Sequence, residues 1–187
     1  MWRPLQPRTV RWRPCEGEGL EHLVIEPHND RIEIRAVVIG ERGGVPYGAR
    51  WRCVCGTDWR VTEFGVSTAD NRGLALFSPE PGRWVDAAGD ALSALDGCID
   101  LDLAATPFTN TLPIRRLDLT PEKGTVELEM VYVPFDTLKP TRDGQRYTCL
   151  EARRLYRYEA ADRSFEAEIA VDEDGLVTDY SGVFRRA

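Results

Sequence analysis

A chain of 187 residues is long enough for one domain with a sizeable core that needs neither disulfides nor metals. Apolar residues at 42% and charged residues at 29% exclude wholesale disorder. The formal net charge of −7, from 31 acidic and 24 basic side chains, opposes phosphate backbones and anionic membrane surfaces, so nucleic acid is not an expected partner.

The N-terminal run from Met1 to Pro7 lacks the apolar stretch of a signal peptide, and nowhere do about 18 apolar residues run together. No integral membrane association is expected. The five cysteines (Cys15, Cys53, Cys55, Cys98, Cys149) are an odd number without framework spacing, which predicts reduced thiols and a cytoplasmic location. His22 alternates with Leu20 and Val24 and is therefore placed on the more apolar side of its strand. That position suits a hydrogen-bonded core histidine, with ligand contact as the alternative. His28 falls in a Pro-His-Asn-Asp turn and reads as solvated.

From Arg31 to Arg35 isoleucines alternate with charges, the pattern of a half-buried strand. Gly43-Gly44 marks a turn, and Gly56-Thr57-Asp58 separates two further runs, Trp51 to Cys55 and Trp59 to Phe64. Cys53 and Cys55 share a strand face and read as small buried hydrophobes. Asp86 predicts the cap of a helix from Ala87 to Leu95, ended by Gly97. Asp100 and Asp102 share one face of an extended segment, opposite Leu101 and Leu103. Pro107 and Pro113 bracket an irregular connection, after which Arg115 and Arg116, taken as extended, point to opposite faces. Between Gly124 and Val133 one face carries Val126, Leu128, Met130 and Tyr132. The other changes from Glu127 and Glu129 to Val131 and Val133, so this strand leaves solvent and enters a region covered on both sides. Asp143-Gly144 and Asp174-Gly175 predict tight hairpins around an alternating run from Phe165 to Val171.

These elements predict a mainly β fold, an antiparallel meander forming one domain over residues 1–187, with one or two short helical segments and curvature enough to hold a ligand. Two β-rich halves are an option, since the helical segment lies near the middle. No hydrolase elbow, phosphate loop or dinucleotide fingerprint is present, and two histidines do not make a zinc site; no cofactor, metal or catalytic residue is assigned. The densest unusual chemistry runs from Asp100 to Arg116. It reads either as Asp–Arg pairs that fix the connection or as polar groups, with Asn110, that bind sugar hydroxyls or a head group in an apolar concavity. Trp51, Trp59 and Tyr147 read first as core, with stacking on a ligand as the alternative.

The segments Gly19-Leu20-Glu21-His22, Trp51, Asp100 to Leu103, Thr106 to Leu117, Gln145-Arg146-Tyr147 and Asp174 to Tyr180 resemble the bacterial glycolipid-binding family, formerly a domain of unknown function. The resemblance covers nearly the whole chain. It implies a single strongly curved antiparallel sheet, a half-barrel like that of the periplasmic lipoprotein carriers, with short helical segments in its concave face. It also implies a glycolipid or other amphipathic small molecule as partner, bound without catalysis. The expected ligand-contacting residues are His22, Trp51, Trp59, Asp102, Asn110, Arg115, Arg116 and Tyr147. Two alternatives stand beside this reading: a homodimeric interaction module using free strand edges, and a small hydrolase or isomerase using Asp100 or Asp102 with Arg115 or Arg116.

Overall fold

A computed structural model describes residues 2–187. Its strands are β1 (Arg8–Pro14), β2 (Gly19–Pro27), β3 (Arg31–Arg42), β4 (Val45–Gly56), β5 (Val61–Thr68), β6 (Gly73–Glu80) and β7 (Arg83–Asp86) in the first half. The second half contributes β8 (Asp100–Leu103), β9 (Thr125–Val133), β10 (Thr141–Glu151), β11 (Leu155–Ala160), β12 (Glu166–Val171), β13 (Val177–Tyr180) and β14 (Phe184–Arg186). All fourteen join one sheet, ordered β7-β6-β5-β4-β3-β2-β1-β14-β13-β12-β11-β10-β9-β8. The two ends of the chain thus pair at the centre of the sheet, through Trp12 opposite Arg186, while the middle of the chain forms both edges.

The sheet curls until its edges approach but do not pair, so it is an open half-barrel and not a closed barrel. The segment after β7 bridges the gap. The Trp84 indole donates to the Cys98 carbonyl at 2.8 Å and the Gly97 amide to the Gly82 carbonyl at 2.8 Å. One pair departs from the antiparallel expectation: β8 runs parallel to β9. Parallel neighbours need a long crossover, and here residues 104–124 supply it, with α1 (Thr111–Leu117) at their centre. No helix of the described residues is long and apolar enough to cross a membrane.

The expected helix and the expected irregular connection both change. Asp86 closes a tight turn instead of capping a helix: its carboxylate accepts from the Ala88 and Asp90 amides at 2.8 and 3.0 Å, and Gly89 has φ +88°. This local pairing competes with helix, and only Ser93–Leu95 forms a 3₁₀ turn. The true helix runs through Pro113, which is tolerated in a first turn because its missing N–H would have no partner there. Arg115 and Arg116 therefore diverge by about 100° around a helix instead of alternating across a strand. Asp143-Gly144 is not a hairpin either; both residues lie inside β10, opposite Met130 and Glu129. The Asp174-Gly175 turn forms as expected, with Gly175 at φ +77°.

Two apolar clusters hold the sheet. The larger joins inward residues of the first half, such as Trp12, Ile34 and Trp51, to Leu101, Leu103, Val131 and Val133 of β8 and β9, and to Phe108 and Leu112 of the crossover. The second half has its own core of Ile114, Tyr147, Tyr156, Ile169 and Val177. The end of β9 is consequently covered on both faces, as its change of pattern predicts. The crossover fills the concave side: its Phe108 and Leu112 are fully buried. Two such side chains, each contributing about 1.5–3 kcal/mol by burial, help to hold it there.

Candidate functional site on the concave face

The alternation of β8 directs Leu101 and Leu103 into the larger core and turns Asp100 and Asp102 toward the crossover. Asp100 is buried and Asp102 half-buried against it, and loss of solvent pushes both above the usual carboxylate range. Their partners differ in kind. Asp100 is bound by the Arg116 guanidinium through two hydrogen bonds, the one from Nε at 3.0 Å. Asp102 receives only neutral donors, the Thr109 hydroxyl at 2.8 Å on one oxygen and the Gln145 side-chain amide at 2.8 Å on the other. Each carboxylate oxygen can accept two hydrogen bonds, so Asp102 keeps acceptor capacity.

Gln145 and Tyr147 are two apart on β10 and face the same side. The Tyr147 hydroxyl lies 2.8 Å from Asn110 Oδ1 and 3.3 Å from Gln145 Oε1, and the Asn110 amide donates to the Pro107 carbonyl at 3.1 Å. Asp102, Asn110 and Tyr147 thus meet in one network, with Thr109 and Gln145 as members that spacing did not reveal. Beside it stands an aromatic shelf. Tyr147 and Tyr158 are cross-strand partners with ring centroids 5.6 Å apart, and Tyr158 lies 5.9 Å from Phe165 and 6.1 Å from Tyr180. Burial, and then the charge of Asp102, pushes the Tyr158 phenol up. The shelf is open at one end, where Phe165 is 43% exposed, while Tyr147, Tyr158 and Tyr180 are buried. Half-buried Val126, Leu128 and Ala167 continue the same concave surface.

The remaining expected contacts lie elsewhere. His22 does not face the core: Glu21, Leu23 and Ile25 are the inward residues of β2, and His22 accepts a hydrogen bond from Arg11 on the outer face at 3.1 Å. The inner face can hold Glu21 because the Trp51 indole donates to it at 2.9 Å and the Thr106 hydroxyl at 2.7 Å. Even so, burial pushes that carboxyl up to about 8. Trp51 is therefore engaged with Glu21 and not with the shelf. Trp59 and Arg115 form a third group. The Arg115 guanidinium lies 4.6 Å over the Trp59 ring and 5.1 Å over Trp2, and donates to the Asp174 carbonyl at 2.6 Å. Burial lowers the Arg115 pKa. The Asp174 carboxylate, fully buried, is held below its usual range by Arg3. This group ties the N-terminal segment to the helix.

Among the described residues, Glu26, His28 and Glu33 are the one set with ligand atoms close enough for a metal, all within 4.8 Å. Arg35 and Arg52 already bind these carboxylates, which makes the set a surface ion-pair network.

Comparison with known proteins points in one direction. No curated protein matches. A solved structure, the crystal structure of a DUF1089 family protein from Pseudomonas aeruginosa at 1.80 Å resolution, is similar at 36% identity and a TM-score of 0.77, covering 100% of this chain and 98% of that one. Residues 9–186 match the family described as "Putative glycolipid-binding". With almost its whole length inside that match, the chain belongs to this family.

Proposed function

We propose that the chain binds a glycolipid or similar amphiphile, without catalysis, on the concave face of its second half. The observation that carries this reading is the junction of the Tyr158–Phe165–Tyr180 shelf with the Asp102–Gln145–Asn110–Tyr147 network. Aromatic faces stack on the apolar faces of sugar rings, and a carboxylate with spare acceptor positions orients hydroxyls. Val126, Leu128 and Ala167 offer a tail the adjoining apolar surface. The family description agrees with a ligand of this type. Catalysis by the two aspartates is less well supported, because Arg116 occupies Asp100 and Arg115 is directed to Asp174. A dimer built by strand addition is also less well supported: β7 is bridged by Ala91, and β8 is buried.

The test uses octyl glucoside below its micellar concentration as a probe, titrated against the full chain by calorimetry and by chemical-shift mapping. Saturable one-to-one binding is expected, with shifts centred on Phe165 and Tyr158. Phe165→Ala and Asp102→Asn should each weaken it about tenfold, the effect of roughly 1.4 kcal/mol. Shifts confined to another face, or affinities unchanged in both variants, would overturn the assignment.

A further inference from the structure

The outer face of the first half carries a trough that the concave site does not use. A groove of about 600 Å³ bounded by His22, Arg35, Arg50 and Arg52 runs into a second of about 730 Å³ bounded by Ile39 and Gly48. Val37, Arg50 and Ser67 belong to both, so the two are one channel crossing β3, β4 and β5. Either volume lies within the range of ordinary small-molecule sites. From Arg52 to Gly48, on one face of β4, the channel extends about 14 Å at the rise of a strand.

Two glycines hollow it. Gly48 and Gly65 sit inside strands, where glycine weakens pairing and packing, and neither has a positive φ that would require it. Nor does crowding explain them: a Cβ at Gly48 would come no closer than 3.8 Å to any neighbour, and one at Gly65 no closer than 3.9 Å. A strand glycine of this kind marks a bend in the sheet or a place where something else approaches the backbone, and the trough lying over both glycines fits the second. The floor is apolar and unusually bare, with Val37 and Ile39 each 57% exposed. The charges around it are unequally matched. Arg35 and Arg52 are paired with Glu26, Glu33 and Glu63. Arg50, two residues along β4 from Arg52 and opposite Val37, donates to the Ser67 hydroxyl at 3.0 Å and has no carboxylate partner among the described residues.

We propose that this trough binds one long-chain anionic amphiphile, its head group on Arg50 in the space left by Gly65 and its tail over Val37 and Ile39 past Gly48. The site is separate from the concave one and does not depend on it.

Dodecyl phosphate below its micellar concentration is the probe, measured by calorimetry on the full chain, with the sugar-free tetraethylene glycol monododecyl ether and inorganic phosphate as single-feature controls. One-to-one binding of dodecyl phosphate is expected, at least tenfold tighter than either control and weaker in high salt. Gly65→Val and Gly48→Val fill the trough with residues that strands favour. Each should cost at least tenfold in affinity while leaving the melting temperature unchanged or raised. Should a valine disturb the sheet, Val37→Glu at an exposed position puts a negative charge on the floor and should abolish binding in a folded chain. Asp102→Asn should leave dodecyl phosphate binding unchanged, which keeps this site distinguishable from the concave one. Failure of the wild type to bind, or equal binding by the folded variants, would overturn the proposal. So would light scattering that shows a dimer dissolved by the valines, since the trough would then be an interface between copies.

Discussion

Replacing Glu21 by glutamine exchanges a buried titratable carboxyl for a neutral amide of the same shape. Two donors reach this carboxyl, from Trp51 and Thr106, and both favour its ionised form. Burial outweighs them and moves the group from the ordinary 4.5 to about 8. An acid whose pKa is higher in the folded state holds its proton more tightly there. Its contribution is therefore fully present below about pH 4.5 and is lost as pH rises through about 8. The whole interval corresponds to about 3–5 kcal/mol, of which about 2–3 kcal/mol falls between pH 6 and 9. That is a large share of the ~5–15 kcal/mol by which domains are stable. Urea unfolding of both proteins across this window is the assay. The wild type should lose about 2–3 kcal/mol from pH 6 to 9, and Glu21→Gln should lose much less, making it the more stable protein at pH 9. Asp100 and Asp102 shift in the same direction, so the difference between the two slopes isolates Glu21. A wild type that gains stability over this window, or a variant with an equal slope, would refute the reasoning.

Asp174→Ala should destabilise by about 1–3 kcal/mol in chemical denaturation, since it removes the buried carboxylate shared by Arg3 and Arg8, which stay partly exposed and keep Glu173 and Asp172 beside them. Because that carboxyl's pKa is depressed, its stabilisation should be lost as pH falls below the ordinary 3.8, the opposite sense to Glu21. Gly175→Ala should lower the melting temperature: φ is +77°, and the new Cβ would meet Arg115 Cδ at 2.6 Å. Gly144→Val should cost about 1–3 kcal/mol in urea unfolding, since even a Cβ would lie 2.7 Å from Ala161 Cβ, and Ala161→Gly should recover part of it. Leu103→Ala, in the fully buried crossing of β8 and the larger core, should cost about 2–5 kcal/mol by the same measurement.

Several features of the site were readable in advance because they depend on short-range geometry. The two-residue period places Asp100 and Asp102 on one face whatever surrounds them. Glu21 and His22 show where that argument stops. On β2 the face with Glu21 also carries Leu23 and Ile25, and the face with His22 also carries Leu20 and Val24. From Leu20 to Ile25, two aliphatic residues and one titratable residue on each side leave the pattern balanced. Trp51 and Thr106 decide the matter, and they are distant in sequence. The aromatic shelf was equally hidden, since Tyr158, Phe165 and Tyr180 come from separate stretches that only strand pairing aligns.

By itself the sequence determined the alternating runs of β2, β3, β4, β5, β9 and β12, the turns at Gly43-Gly44, Gly56 and Asp174-Gly175, and the covered end of β9, because alternation and glycine-bearing turns act within a few residues. Tertiary structure alone decided that the two ends of the chain pair at the sheet's centre, and that β8 lies parallel to β9. It also turned the Thr111–Leu117 segment, with its proline, into a helix that plugs the concave face. The physical reason is reach. Local backbone preference is worth tenths of a kcal/mol to about 1 kcal/mol per residue, whereas burying Phe108, Leu112 and Ile114 against distant strands is worth several.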